Sequence, residues 1–322
     1  MAQSIVVVDP LTEKNLAKLR HYVPPGFSLS CATARGDLHL KELIADADYA
    51  ISGQVGVGGD VMRAARKLKL LHKWGVGVDN FDLEAARACG IKVARTTGSN
   101  AIPVAEFTLG LMLATLRHIA NGHADLRGGA WRGVDAQTRE TFMLSGKTVG
   151  LIGFGAIGKA VARILQGFGC TILYHKPNRL SADEERALGA RYAPLSELLA
   201  RSDVVSLHCP MTPETKNLID FQALATMKRS AILVNVARGG VVVEGDLVRA
   251  LRDGTIHAAA MDVFAVEPLP ANSNLVGIDN LILTPHLAAI AADNYAPTVN
   301  RMFANIMAVS RGEPLPADDI VV

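Results

Sequence analysis

Short runs of β-branched and aliphatic residues alternate along this chain with stretches in which apolar residues recur every three or four positions. In the first hundred residues Ile5–Val8, Tyr49–Ser52, Leu70–Trp74 and Ile91–Ala94 read as buried strands, while Glu13–His21 and Val61–Lys67 carry a helical pattern. That alternation predicts a parallel sheet covered by helices. From Ile102 to Ala120 the sequence IPVAEFTLGLMLATLRHIA is apolar on most sides. A helix of that kind is expected between domains or subunits, here as the connector into a second domain and a candidate dimer contact. After a polar stretch, Asn121–Glu140, a second series predicts strands at Thr148–Ile152, Thr171–Tyr174, Val204–Leu207, Ile232–Val236, Ala258–Met261 and Leu281–Leu283. Six strands with their helices complete a doubly wound unit of roughly 140 residues. A helical pattern returns at Tyr295–Ser310. We therefore expect two α/β domains: residues 1–100 with 286–322, and an inserted unit spanning 101–285.

Composition narrows the class. A chain of 322 residues accommodates two domains, and 49% hydrophobic with 20% charged residues is ordinary for globular proteins. The net charge of +2 argues against a dedicated nucleic-acid or anionic-membrane surface, which carries a dense excess of Lys and Arg. The start MAQSIVVVDP lacks the basic and apolar segments of a secretory signal, and no apolar run approaches the ~20 residues of a membrane span. Cys31, Cys89, Cys170 and Cys209 form no C-x-x-C pair. Each reads as a small hydrophobe with a reduced thiol, so no metal is expected and a cytoplasmic location is.

The strand TVGLI runs into Gly153-Phe-Gly155-Ala-Ile-Gly158 and then into a helical pattern. In G-x-G-x-x-G the first glycine permits a tight turn, the second lets backbone approach a pyrophosphate, and the third lets helix pack on strand. The helix N-terminus then offers free N–H groups to an anion. Three glycines at these offsets also arise by chance in a chain with 29 of them; the strand–turn–helix setting favours a dinucleotide site. The following strand should end in an acid that binds the ribose hydroxyls, yet no Asp or Glu occurs between Gly158 and Asp183. Lys176 and Arg179 flank the position, with His175 and Asn178 nearby. Cations there suit the 2′-phosphate of NADP; the alternative is a solvated basic turn.

Ligands of doubly wound sheets bind beyond the carboxyl ends of the strands. There the chain places His208, Arg238, Asp262 and His286. Arg238 precedes Gly239 and Gly240, which would leave room for a ligand beside its guanidinium, and its planar fork suits a carboxylate. His286 can give a proton near neutral pH. Glu267, in FAVEPLP, is the candidate to orient it, and Asp262 could contact a cofactor amide. His208 could pack or take part in the chemistry.

Taken together, WGVGVDNFD (Trp74–Asp82), TTGSNAIPVAEFTLGLML (Thr96–Leu113), GFGAIG, LHCPMTPET (Leu207–Thr215), NVARGG (Asn235–Gly240), MDVFAVEP (Met261–Pro268) and TPH (Thr284–His286) resemble the D-isomer-specific 2-hydroxyacid dehydrogenases. The resemblance runs nearly the whole chain. It implies a Rossmann nucleotide-binding domain inserted into a flavodoxin-like catalytic domain, and a homodimer through the nucleotide domain. It implies a small 2-oxo or 2-hydroxy acid as substrate, with Arg238 binding it, His286 as acid/base, and Glu267 supporting the histidine. Val76 and Gly77 would offer backbone N–H groups to the substrate carboxylate. Ala156, Ile157, His208, Cys209, Val236, Ala237 and Asp262 would line the cofactor beside the three loop glycines.

Three departures bear on this. Lys176 stands where NAD-preferring members have Asp, which shifts the expected cofactor to NADP, with NAD possible. The glycine that usually follows the catalytic histidine is absent from HLAAIAADN, and the 36 residues after His286 leave no place for the regulatory domain of long phosphoglycerate dehydrogenases. Glyoxylate and hydroxypyruvate are the substrates expected, because they go with NADPH-preferring relatives. D-3-phosphoglycerate with NAD is the alternative. Formate dehydrogenases of this framework pair Gln with the histidine, so Glu267 disfavours that chemistry. Corepressors of the same fold keep the trio but carry a disordered extension, of which this sequence shows nothing.

Overall fold

The computed structural model describes residues 2–132 and 140–322. The end of the Asn121–Glu140 polar stretch, 133–139, lies outside them. In chain order the elements are β1 (Gln3–Val7), α1 (Glu13–Arg20), β2 (Phe27–Cys31), α2 (Asp37–Ile44), β3 (Tyr49–Ser52), α3 (Gly59–Ala64), β4 (Leu70–Lys73), α4 (Leu83–Ala88) and β5 (Lys92–Ala94). Then follow α5 (Ala101–Leu116), α6 (Ile119–Arg127), β6 (Thr148–Ile152), α7 (Ala156–Gln166), β7 (Thr171–His175), α8 (Ala182–Leu188), β8 (Ala190–Tyr192), α9 (Leu195–Arg201) and β9 (Val204–Leu207). The chain closes with α10 (Phe221–Thr226), β10 (Ile232–Asn235), α11 (Glu244–Arg252), β11 (Ala258–Met261), β12 (Leu281–Leu283) and α12 (Ala292–Ser310). Two compact units result: Met1–Asn100 with Ala291–Val322, and Ala101–Ile290.

The first unit holds a five-stranded sheet in the order β2-β1-β3-β4-β5, parallel throughout. This is the flavodoxin-like order. β2 was not expected, because FSLSC alternates as an edge strand does and lacks the continuous apolar run of its buried neighbours. α12 docks on one face of this sheet, where Val299, Met302, Phe303 and Ile306 join Ile5, Tyr49, Ile51 and Leu70 in one cluster. The tail beyond α12 bonds to β5 through Val93 and Val321.

The second unit holds seven parallel strands in the order β12-β11-β10-β9-β6-β7-β8. Counted from β6, this is the doubly wound order 3-2-1-4-5-6 with one strand added beyond it. The direction of winding reverses between β6 and β9, so the carboxyl ends of these two strands mark its binding crevice. β8 was missed because only Ala190 of its three residues is buried.

The apolar stretch expected as one helix over Ile102–Ala120 divides. α5 ends at Leu116, His118 adopts φ 51°, and α6 leaves at 65°. The periodicity fails where RHIANGH turns polar, and α6 buries none of its residues. α5 packs against α7, β10 and β11, so its apolar faces are largely accounted for within its own unit. No single helix among the described residues is long and apolar enough to cross a membrane. The return to the first unit falls after Ile290, not at His286. The Asp262 carboxylate accepts from Thr284 Oγ1 at 2.6 Å and from the N–H groups of Leu287 and Ala288 at 2.9 Å, which ties 284–288 to the strand ends of the second unit.

Candidate active site

Each glycine of the loop after β6 answers to a different contact. Gly153 has φ 89°, and a Cβ there would lie 2.3 Å from the Cys209 nitrogen. A Cβ on Gly158 would lie 2.5 Å from the Gly153 carbonyl oxygen, so only glycine lets α7 pack against the turn. Gly155 meets nothing within 4 Å, and Ala156 beside it is exposed at the first turn of α7. An open backbone at an eleven-residue helix's N-terminus is the cradle a pyrophosphate requires. Ile157 is half-buried beside it. The residues present therefore fit a dinucleotide.

The turn after β7 holds the two expected cations differently. Lys176 is half-buried and forms no ion pair among the described residues. Arg179 donates from Nε and Nη2 to the two carboxylate oxygens of Glu185, both at 2.9 Å. Glu185 also accepts from the Tyr174 hydroxyl at 2.8 Å. The arginine hydrogen bond leads, against the opposing effect of burial, in holding the Glu185 carboxyl down to about 2.

Across the switch point, Cys209 is buried, and burial pushes its thiol up to about 11, so it stays protonated. His208 Nε2 meets Ser206 Oγ at 3.0 Å, while Nδ1 is enclosed without a partner among the described residues. Burial pushes this ring down to about 3, so it is neutral. Asp262 is fully buried with three acceptor positions occupied by the 284–288 loop, so it holds that loop in place.

Beyond β10, Val236 and Ala237 are buried and Arg238 is half-buried. Asn235 shapes this turn: its Oδ1 accepts from the Ala237 N–H at 3.0 Å and its Nδ2 donates to the Arg238 carbonyl at 2.9 Å. The residue was not singled out from sequence, although an amide ending the apolar run AILV was the available signal; the structure buries it fully. The glycines after Arg238 leave room for protein and not for ligand. A Cβ on Gly239 would sit 1.8 Å from the Phe264 carbonyl carbon, and one on Gly240 would sit 2.1 Å from Met211 Cε. The first contact brings the Arg238 loop against the loop that carries Glu267.

That second loop is held at three points. Glu244, also not foreseen, accepts the Ala265 N–H at 2.7 Å. Glu267 Oε1 accepts the Phe264 N–H at 2.9 Å, and Oε2 lies 2.7 Å from His286 Nδ1. Burial alone would raise the Glu267 carboxyl, but the hydrogen bonds from His286 and Phe264 and the charges of His286 and Arg238 outweigh it and hold it below its ordinary value. An ionised Glu267 directs the Nδ1 proton toward itself and leaves Nε2 for a substrate. Both side chains are about one-third exposed, at 34% and 31%. His286 has φ 54°, a region that side-chain-bearing residues seldom occupy. Its N–H bonds to the carbonyls of Asp262 at 2.9 Å and Thr284 at 3.0 Å, which hold it there.

A model of the D-isomer-specific 2-hydroxyacid dehydrogenase NAD-binding domain matches residues 109–288, which embrace the glycine loop, Arg238, Glu267 and His286. The chain belongs to this family. This dehydrogenase is 38% identical to the glyoxylate reductase of Korarchaeum cryptofilum over 98% of its own length and 95% of that protein's. It is likewise 38% identical to the D-3-phosphoglycerate dehydrogenase of Methanocaldococcus jannaschii over 96% of its length, but spans only 58% of that relative. The crystal structure of the TT0316 protein from Thermus thermophilus superposes with a TM-score of 0.87 at 35% identity, covering 99% of this chain and 100% of the other.

In the first unit, Val76 and Gly77 lie half-buried in the loop that follows β4. Gly75 before them has φ 135°, and its carbonyl accepts from the Thr96 N–H at 3.0 Å. The N–H groups of Val76 and Gly77 take no backbone partner among the described residues. The neighbouring loop is fixed by Asp9, which accepts from the N–H groups of Gly53, Gln54 and Val55.

Proposed function

We propose that this dehydrogenase reduces a small 2-oxo acid, glyoxylate or hydroxypyruvate, to the D-2-hydroxy acid, with NADPH preferred over NADH. The observation that carries the reading is the His286–Glu267 dyad at 2.7 Å, with Arg238 close enough for its charge to act on Glu267. Arg238 binds the substrate through its guanidinium fork. The reduced nicotinamide, when bound, supplies the hydride that the carbonyl carbon accepts. His286 gives the carbonyl oxygen a proton from Nε2, and ionised Glu267 stabilises the imidazolium before that transfer. Arg238 stabilises the charge that develops on the oxygen. Gly153, Gly155, Ala156, Ile157 and Gly158 would hold the nucleotide, with Cys209, Val236 and Ala237 contributing from across the switch point.

Similarity to a glyoxylate reductase over nearly all of both chains supports the substrate. Similarity to a phosphoglycerate dehydrogenase supports D-3-phosphoglycerate as the second reading. Steady-state assays of glyoxylate, hydroxypyruvate, pyruvate and, in the oxidative direction, D-3-phosphoglycerate with both cofactors decide between them. The highest kcat/KM with glyoxylate or hydroxypyruvate is expected; the highest value with D-3-phosphoglycerate overturns the assignment. Exposed Ile102, Ile119, Leu126, Trp131 and Met143 on the second unit support the homodimer, which light scattering at assay concentration tests.

A further inference from the structure

We propose that Glu185 sets the cofactor choice by holding Arg179 out of 2′-phosphate recognition, so that Lys176 is the cation that tells NADPH from NADH. The inference rests on reading the turn after β7 as the adenosine-ribose site.

The geometry on which it stands is local to this turn. Arg179 presents the side-on edge of its guanidinium, Nε and Nη2, to both oxygens of Glu185. Bidentate pairing of this kind is the strongest arrangement a guanidinium makes with a carboxylate. The carboxylate is only 12% exposed, and the Tyr174 hydroxyl adds a third donor to it. Tyr174 in turn accepts the Leu180 N–H at 2.9 Å, so the backbone of the turn is fastened to the same group. The guanidinium lies 5.8 Å from the centre of the Tyr192 ring. Swinging Arg179 onto a ligand would leave Glu185 in a largely enclosed position without its cation, which is unfavourable.

Charge leads to the same result. Arg179 and Glu185 together present no net charge to an incoming phosphate. The other acids of this segment are also engaged: Glu184 meets Lys159 at 3.0 Å, and Asp183 meets Arg186. Lys176 has no such partner among the described residues. Among the described residues of this turn a dianionic 2′-phosphate therefore meets one uncompensated cation, and NADH meets no unengaged acid that would hold its ribose diol. Both cofactors are usable, and the preference for NADPH is modest.

The test is the ratio of kcat/KM for NADPH to that for NADH, measured with one good 2-oxo acid, together with the affinity of each cofactor by calorimetry. Glu185→Gln keeps a hydrogen-bond acceptor but removes the charge that captures Arg179. It should raise the ratio about five-fold, through tighter NADPH binding. Glu185→Ala should act with the same sign. In an Arg179→Gln background, the Glu185→Gln change should move the ratio less than about two-fold, because no arginine remains to be released. A ratio that falls or stays constant in Glu185→Gln overturns the inference, as does a rise of equal size in both backgrounds. If both cofactors bind and the ratio does not respond, this inference alone fails. If neither cofactor binds the native enzyme, the functional reading fails and this inference with it.

Discussion

His286 projects from a left-handed backbone that the Asp262 and Thr284 carbonyls hold in place, and its Nδ1 is committed to Glu267. With the backbone and Nδ1 both held, Nε2 is the ring nitrogen left for the proton transfer proposed above. His286→Ala should lower kcat by about 10²–10⁴ while leaving NADPH affinity by calorimetry within about two-fold; near-native turnover would remove His286 from the chemistry. Glu267→Gln keeps the hydrogen bond but withdraws the charge. The charge that supports the proton transfer is then lost, so kcat for reduction should fall by about ten-fold or more, and an unchanged kcat would count against the pairing. Arg238→Lys keeps a cation but loses the fork, and kcat/KM for the 2-oxo acid should fall by about 50-fold or more. Lys176→Asp supplies an acceptor for the ribose diol and removes the cation of this turn that has no ion-pair partner among the described residues. The cofactor ratio should then invert in favour of NADH.

At the scale of elements, what matters is how two loops are brought together. Gly239 has no side chain because the Phe264 backbone occupies that space, and through this contact the Arg238 and Glu267 loops share one location. Gly239→Ala forces the loops apart. It should lower the melting temperature by several degrees, consistent with about 2–4 kcal/mol for a strained backbone contact, and reduce kcat as well; full activity at native stability would show that the loops adjust freely. The same scale shows where periodicity was a good guide. Strands buried on both faces, such as ILVN and AAAM, announce themselves as apolar runs. Edge strands do not: FSLSC alternates and ARY is three residues long, and both owe their strand conformation to pairing with a neighbour. Likewise nothing in NVARGG distinguishes a glycine that makes space for ligand from one that makes space for a distant loop.

At the scale of the molecule, the first unit is completed by the chain's last residues. Asp319 has a fully buried side chain, and Arg301 donates to both of its oxygens. It also accepts from Asn305 Nδ2 at 3.0 Å and from the Thr97 N–H at 2.9 Å. Burial alone would raise this carboxyl, but the Asn305 and Thr97 hydrogen bonds and the Arg301 guanidinium outweigh it and hold it below its ordinary value. A carboxylate depressed in the folded state contributes stability above its unfolded pKa of about 3.9, and that contribution is lost as pH falls through the lower folded value. Asp319→Asn should therefore destabilise the protein near neutral pH by about 2–3 kcal/mol, reduced from a fully buried pair because Arg301 is 38% exposed. Denaturant melts at pH 7 and pH 3.5 check this. The difference between variant and native should shrink at the lower pH, and a constant difference would mean that charge is not involved.

The sequence by itself determined the alternation of strand and helix, the class of both sheets, the glycine loop, and the residue types set at the strand ends. These depend on local periodicity and on the few side chains able to do such chemistry, and both are written into short stretches of chain. Tertiary structure alone decided the partners: that Asp262 holds the 284–288 loop, that Gly239 accommodates Phe264, that α5 ends at Leu116, and that Glu185 captures Arg179. A carboxylate can meet a cation, a backbone N–H or a ligand equally well by its chemistry. Which one it meets depends on the groups that packing brings within about 3 Å, and most of those lie far away in sequence.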